Sequence, residues 1–190
     1  MKFWLTLFLF ILVYRPSTAQ VLNSGLPIGT ECPAFDPHHV SGPDRNSRAC
    51  PMCKYGSRQG VMIWVNHSDW DALEPIARRL ESEIKTRGLR QFRAFIIYMN
   101  PAGLPLAQLL EESRKKADAW KLEKTALVCV PSPTDPESAG LFQINPDPRV
   151  KNTVMVYSRR KVAHKVINLN AGGLDDLVRT CDEIFLRNPL

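Results

Sequence analysis

The chain has 190 residues, 25 basic against 19 acidic, for a net charge of +6, and 44% of its residues are apolar. That is enough for one domain with a real core, and five cysteines are too few for a disulfide-dense scaffold. The positive surplus is modest and no basic cluster is interleaved with aromatics, so no nucleic-acid partner is expected.

The amino terminus reads as an export signal over residues 1–19. Lys2 supplies the positive start, Phe3 to Tyr14 is an almost unbroken apolar run, and Ser17-Thr18-Ala19 offers small residues at a cleavage site. The run is shorter than the ~20 residues a spanning helix needs, and Arg15-Pro16 breaks it, so no membrane span is expected after cleavage. The expected location is therefore exported, periplasmic or secreted. Losing Lys2 and Arg15 takes the net charge from +6 to +4.

Residues 20–60 are rich in proline and glycine and keep no apolar period, so they read as a loop-rich leading segment running across the surface of the domain formed by the later chain. They carry Cys50-Pro51-Met52-Cys53, two thiols spaced to close a small disulfide ring or to supply half of a tetrahedral metal site. A domain is expected over 61–190. Val61 to Val65 reads as a buried strand. Leu73, Ile76, Ala77, Leu80 and Ile84 mark an amphipathic helix to about Arg87, with Pro75 predicting a late start or a kink. Phe92 to Met99 is a second strand, a helix comes next with Pro105 at its first position, and Thr125 to Val130 is a third strand. Pro131 to Pro148, with five prolines, reads as a long surface connection. Thr153 to Tyr157 and Val162 to Leu169 form a hairpin, and a last helix begins after Gly172-Gly173. Alternating strands and helices predict an α/β fold with a largely parallel sheet and an antiparallel hairpin at one side.

That order, together with Cys50 and Cys53 and the run from Thr30 to Gly56, resembles the thioredoxin-like fold and, within it, exported redoxin-type domains. The resemblance implies a central mixed sheet with helices on both faces and a C-terminal hairpin plus helix. It also implies thiol-disulfide chemistry with Cys50 and Cys53 as the redox pair, acting on protein thiols or disulfides or on a small oxidant. In thioredoxins the pair comes after the strand that opens the β-α-β unit. The corresponding place here is Asn66 to Trp70, and the place of the usual cis-proline is held by Asn152.

Three roles for the pair are open. In the redox role Cys50 attacks, Cys53 resolves, and Lys54 and Arg58 favour the thiolate, with Cys32 as a possible third thiol. In the structural role the pair, or Cys32 with Cys50, ties the leading segment to itself, giving a non-catalytic binding or scaffold module. In the metal role Cys32, His38, His39, Cys50 and Cys53 supply ligands, although His38 and His39 read more simply as solvated. No cofactor is expected, and covalent haem attachment is excluded because Lys54 rather than histidine comes after Cys53. Cys129 and Cys181 fall on apolar faces and read as buried small hydrophobes. His67-Ser68-Asp69 reads as a helix-start turn rather than a catalytic triad. Trp64, Trp70 and Trp120 read as core and core-edge aromatics.

Overall fold

Three apolar runs of β-branched and aromatic residues become the middle of one sheet, because each can be buried on both sides only if layers cover both faces. A computed structural model of the protein describes residues 22–66 and 70–187. The strands are β1 (His38–His39), β2 (Gln59–Val65), β3 (Phe92–Tyr98), β4 (Ala126–Cys129), β5 (Asn152–Ser158) and β6 (Lys161–Ile167). The helices are α1 (Pro51–Tyr55), α2 (Trp70–Arg87), α3 (Leu106–Ala119) and α4 (Leu174–Arg187). The sheet order is β1-β4-β3-β2-β5-β6, with β2, β3 and β4 parallel and the rest antiparallel. The fold is thus the predicted mixed sheet with a hairpin and terminal helix at one side. The predicted export signal and the His67-Ser68-Asp69 turn lie outside the described residues.

Because side chains alternate along a strand, the sheet has two separate cores. On one face Val61, Ile63, Ile96, Leu127 and Val156 meet the periodic apolar stripes of α2, α3 and α4. On the other face Met62, Trp64, Phe95, Val128 and Tyr157 meet α1 and irregular chain. Helices therefore cover both faces unequally, three long ones against a single short one.

Several sequence expectations are corrected here. α2 runs through Pro75 instead of starting after it. Pro105 is the residue before α3 rather than its first, since its ψ of 139° is not helical. The leading segment is not only a surface loop: it supplies β1 and α1 and buries Leu26, Phe35, Met52 and Tyr55. The proline-rich connection is core as well, for Ala139, Phe142 and Ile144 are buried and the Phe142 ring lies 4.6 Å from Trp64 and 5.1 Å from Phe35. Such aromatic pairs contribute about 0.5–1.5 kcal/mol each beyond their burial, which holds a segment that has no secondary structure of its own.

Candidate functional site

Pro51 fixes the backbone angle a helix needs in its first turn and gives up an N–H that would have no partner there, so the C-x-x-C sequence starts a helix rather than continuing a loop. Cys50 is the residue capping α1, and its Sγ accepts the Cys53 N–H at 3.0 Å. The two cysteines are joined as a disulfide with Cα atoms 5.3 Å apart. Cys50 is half-buried and Cys53 exposed, so the bridge faces solvent at one end. An N–H aimed at the leading sulfur stabilises the thiolate when the bridge is open.

Next to α1 stands a group of polar side chains of which the sequence singled out only Lys54 and His39. Asp44, 9% exposed, accepts hydrogen bonds from the Tyr55 hydroxyl at 2.7 Å and from the Lys54 ammonium, with which it forms an ion pair. Burial alone pushes the Asp44 carboxyl up, but the Lys54 and Tyr55 bonds outweigh it and leave it below its ordinary value. The guanidinium of Arg93 sits 4.0 Å from the centre of the Tyr55 ring, a cation over a π face. His39 lies on the sheet edge opposite Val128, 2% exposed, and its Nε2–H donates to the Ala49 carbonyl at 2.9 Å. Burial lowers its pKa, which corrects the expectation of a solvated His38-His39 loop. Asp44 is ten positions from Lys54 in an irregular turn, and no local pattern announces a contact of that kind.

α1 is fastened to the β5–β6 turn. Arg159 and Arg160 both have positive φ, 50° and 65°, as the tightest right-twisting hairpins require. The conformation is held from outside: the Arg159 N–H donates to Arg58 O at 3.2 Å, the Arg160 N–H to Gly56 O at 2.7 Å, and Cys32 N–H to Arg160 O at 2.6 Å. A side chain on Gly56 would meet Met52 O at 2.4 Å and Arg160 Cγ at 2.7 Å, so this junction admits only glycine.

The other end of β2, where thioredoxins carry their pair, is built for a different purpose. Asn66 is fully buried and its amide donates to Asn145 O at 3.2 Å and Asp147 O at 3.4 Å. Asn152, in the expected cis-proline place, exchanges two 2.9 Å bonds with the Leu169 backbone. Asn100 likewise accepts from Leu104 N and donates to Leu104 O and Pro131 O. Amides latch loops at the carboxyl ends of the strands, while the sulfur chemistry lies with the segment that enters β2.

The remaining predicted site residues are not bonded to the pair. Cys32 is a free thiol, fully buried, and burial pushes its pKa up to about 12 despite the nearby Arg160. His38 lies opposite Cys129 on the face of α3. Among the described residues no three His, Cys, Asp or Glu side chains converge as a metal-binding group, so Cys32, His38, His39, Cys50 and Cys53 are not brought together as one ligand set. Cys129 and Cys181 are free and buried in the helix-side core; Cys129 Sγ donates to Ser113 Oγ at 3.2 Å, and burial raises the two thiols to about 11 and about 12. No helix among the described residues is long and apolar enough to cross a membrane.

No protein-family model and no characterised protein sequence matches the chain. Solved structures do. An uncharacterized conserved protein from Geobacillus kaustophilus superposes with a TM-score of 0.65 at 12% identity, covering 88% of this chain and 87% of its own. A yeast mitochondrial 1-Cys peroxiredoxin gives 0.59 at 14%, covering 85% and 77%. A putative thiol:disulfide interchange protein DsbE from Chlorobium tepidum gives 0.56 at 12%, covering 84% and 98%. The architecture is thus the thioredoxin-like fold that redoxins share, here with its C-x-x-C pair at the start of a helix ahead of the central strand.

Proposed function

We propose that the protein exchanges thiols and disulfides in an exported compartment, with Cys50 as the attacking thiolate and Cys53 as the resolving thiol. The observation that carries this reading is the Cys50 Sγ in the capping position, bonded by Cys53 N–H beside an exposed partner sulfur. In the reducing direction the Cys50 thiolate attacks one sulfur of a substrate disulfide and releases a thiolate. Cys53 then attacks the Cys50 sulfur, releases the second thiol, and restores the Cys50–Cys53 bridge. Two electrons pass from the pair to the substrate, and the two cysteine protons end on the products. Lys54, next to Cys53 in the sequence and paired with Asp44, is the nearest cation in sequence to the pair and favours the anion. The export signal at residues 1–19 supports an oxidising location, where such a pair has substrates.

The test is insulin reduction and exchange with a small chromogenic disulfide, comparing the wild type with Cys50→Ser. Activity in the wild type and its loss in the variant is the expected result; equal rates, or none in either, would overturn the reading. The rival is a non-catalytic module in which the bridge merely clamps α1, favoured by the absence of a cysteine at Asn66 to Trp70, where thioredoxins carry their pair. A bridge that resists millimolar dithiothreitol in intact-mass measurements with alkylation would favour that rival.

A further inference from the structure

At the β1 edge of the sheet, His38, His39, Asn46, Arg48, Leu110 and Arg114 line a cleft of about 280 Å³. Its chemistry is one-sided: it has the guanidinium groups of Arg48 and Arg114 and the imidazole of His38, and no carboxylate lines it. The positive groups are also uncompensated. Arg48 donates to the backbone carbonyl of Asp36 at 3.0 Å and not to an acid. Arg114 has one long contact, 3.5 Å to Asn46 Oδ1, and its Nε is buried with no partner. The nearby acids are engaged elsewhere, Asp118 with Arg45 and Glu111 with Lys115. Buried polar atoms left unbonded are uncommon and destabilising, and the Arg114 Nε in the wall of a small basic cleft marks a place where a ligand would complete the bonding.

One short stretch of chain links the cleft to the cysteine pair. Arg48 is two residues before Cys50, and His39, which lines the cleft, is hydrogen-bonded to the carbonyl of the residue directly before Cys50. We infer that this cleft binds the oxyanion group of a small disulfide substrate, through Arg48 and Arg114, and so selects carboxylate-bearing disulfides for exchange at Cys50. The volume suits one end of such a molecule rather than a whole cofactor, and planar guanidinium groups match a carboxylate through paired charge-assisted bonds. This substrate assignment rests on the exchange reading above; the anion site itself does not.

Two measurements separate those layers. In the first, inorganic phosphate is titrated into the oxidised full chain while the side-chain Nε–H resonances of arginine are followed by NMR. Saturable shifts at Arg48 and Arg114 are expected, with phosphate binding read at the remaining arginine weakened several-fold in each single variant, Arg48→Gln and Arg114→Gln; no shifts, or unchanged binding in both single variants, would overturn the anion site. In the second, the reduced chain reacts with dithiodipropionate, hydroxyethyl disulfide and cystamine, which are anionic, neutral and cationic. The anionic disulfide is expected to react about tenfold faster than the neutral one at low salt, and this ratio is expected to be lost in the double variant. An unchanged charge preference in the double variant overturns the selection. If none of the three reacts, the exchange reading and the substrate assignment fall together, while the phosphate titration still decides the cleft. Arg→Lys replacements at both positions, which keep charge but lose the fork, should restore the preference in part.

Discussion

One face of the sheet is covered by α2, α3 and α4, each laying a regular apolar stripe on Val61, Ile63 and Ile96; the other is covered by a five-residue helix and two stretches of irregular chain. The helix face buries its thiols. Cys129 and Cys181 are packed as hydrophobes and held protonated. On the irregular face the C-x-x-C pair stands at the start of α1, half in solvent, and the same short helix carries Lys54 and Tyr55, which meet Asp44. The contrast arises from backbone geometry. The first N–H groups of a helix have no partner within it and can point at a sulfur at the helix start, as at Cys50, whereas Cys129 inside β4 and Cys181 in the middle of α4 have no such free N–H groups beside them. Regular packing makes a scaffold, and irregular chain, fixed by aromatics and a hairpin turn, is where reactive groups can be displayed.

The sharpest way to break this comparison is to remove one thiol from each face. Cys50→Ser should lower disulfide exchange by at least about a hundredfold, while Cys129→Ser and Cys181→Ser should leave the rate within about twofold; stopped-flow exchange rates decide it, and a large loss from either buried cysteine would erase the distinction. Next in size is the aromatic anchor of the irregular face. Phe142→Ala removes a fully buried ring that touches Trp64 and Phe35 and should cost about 3–5 kcal/mol in denaturant unfolding. A loss below about 1 kcal/mol would mean that residues 131–148 do not support the core.

On the helix face the corresponding strut is Glu81, a carboxylate 5% exposed on α2 that accepts the N–H groups of Glu123, Lys124 and Thr125, the last at 2.7 Å. Burial pushes this carboxyl up, yet the Thr125 and Lys124 backbone bonds outweigh it and leave the folded pKa below the ordinary value. Its contribution is therefore complete above the unfolded carboxyl pKa and is lost as pH falls through the lower folded value. Glu81→Gln should cost about 2 kcal/mol at pH 7, read as a fall of about 4–8 °C in melting temperature, with the gap to wild type narrowing below about pH 4. A gap that widened in acid would contradict the assignment. The smallest expected effect returns to the pair: Asp44→Asn frees the Lys54 ammonium and should speed alkylation of reduced Cys50 at pH 7 about two- to threefold by raising its thiolate fraction. A slower reaction would show that Asp44 assists the thiol through its proton rather than restraining it through its charge.

Legibility in the sequence divides along the same two faces. Leu73, Ile76, Leu80 and Ile84 recur at helical spacing, and Phe92 to Met99 and Val61 to Val65 are continuous apolar runs, so the helix face and the central strands could be placed to within a few residues. The pair itself was visible as a spacing. Asp44, the burial of His39 and the core role of Phe142 were not visible, because each depends on a partner far away in sequence and in a segment without a period. Pro75 misled for a related reason: the packing of α2 against β3 outweighs a local preference to begin the helix later.

The amino-acid sequence by itself determined the alternation of strands and helices, the two thiols at C-x-x-C spacing, and the apolar burial of Cys129 and Cys181, since these depend on short-range periodicity and composition. Only the tertiary structure decided that the pair caps a helix ahead of the central strand, that amides rather than sulfur occupy the carboxyl end of β2, and that Asp44, Lys54 and Tyr55 meet beside Cys50. Those positions are set by how irregular chain folds back onto a sheet, where long-range contacts, and not any local repeat, fix the geometry.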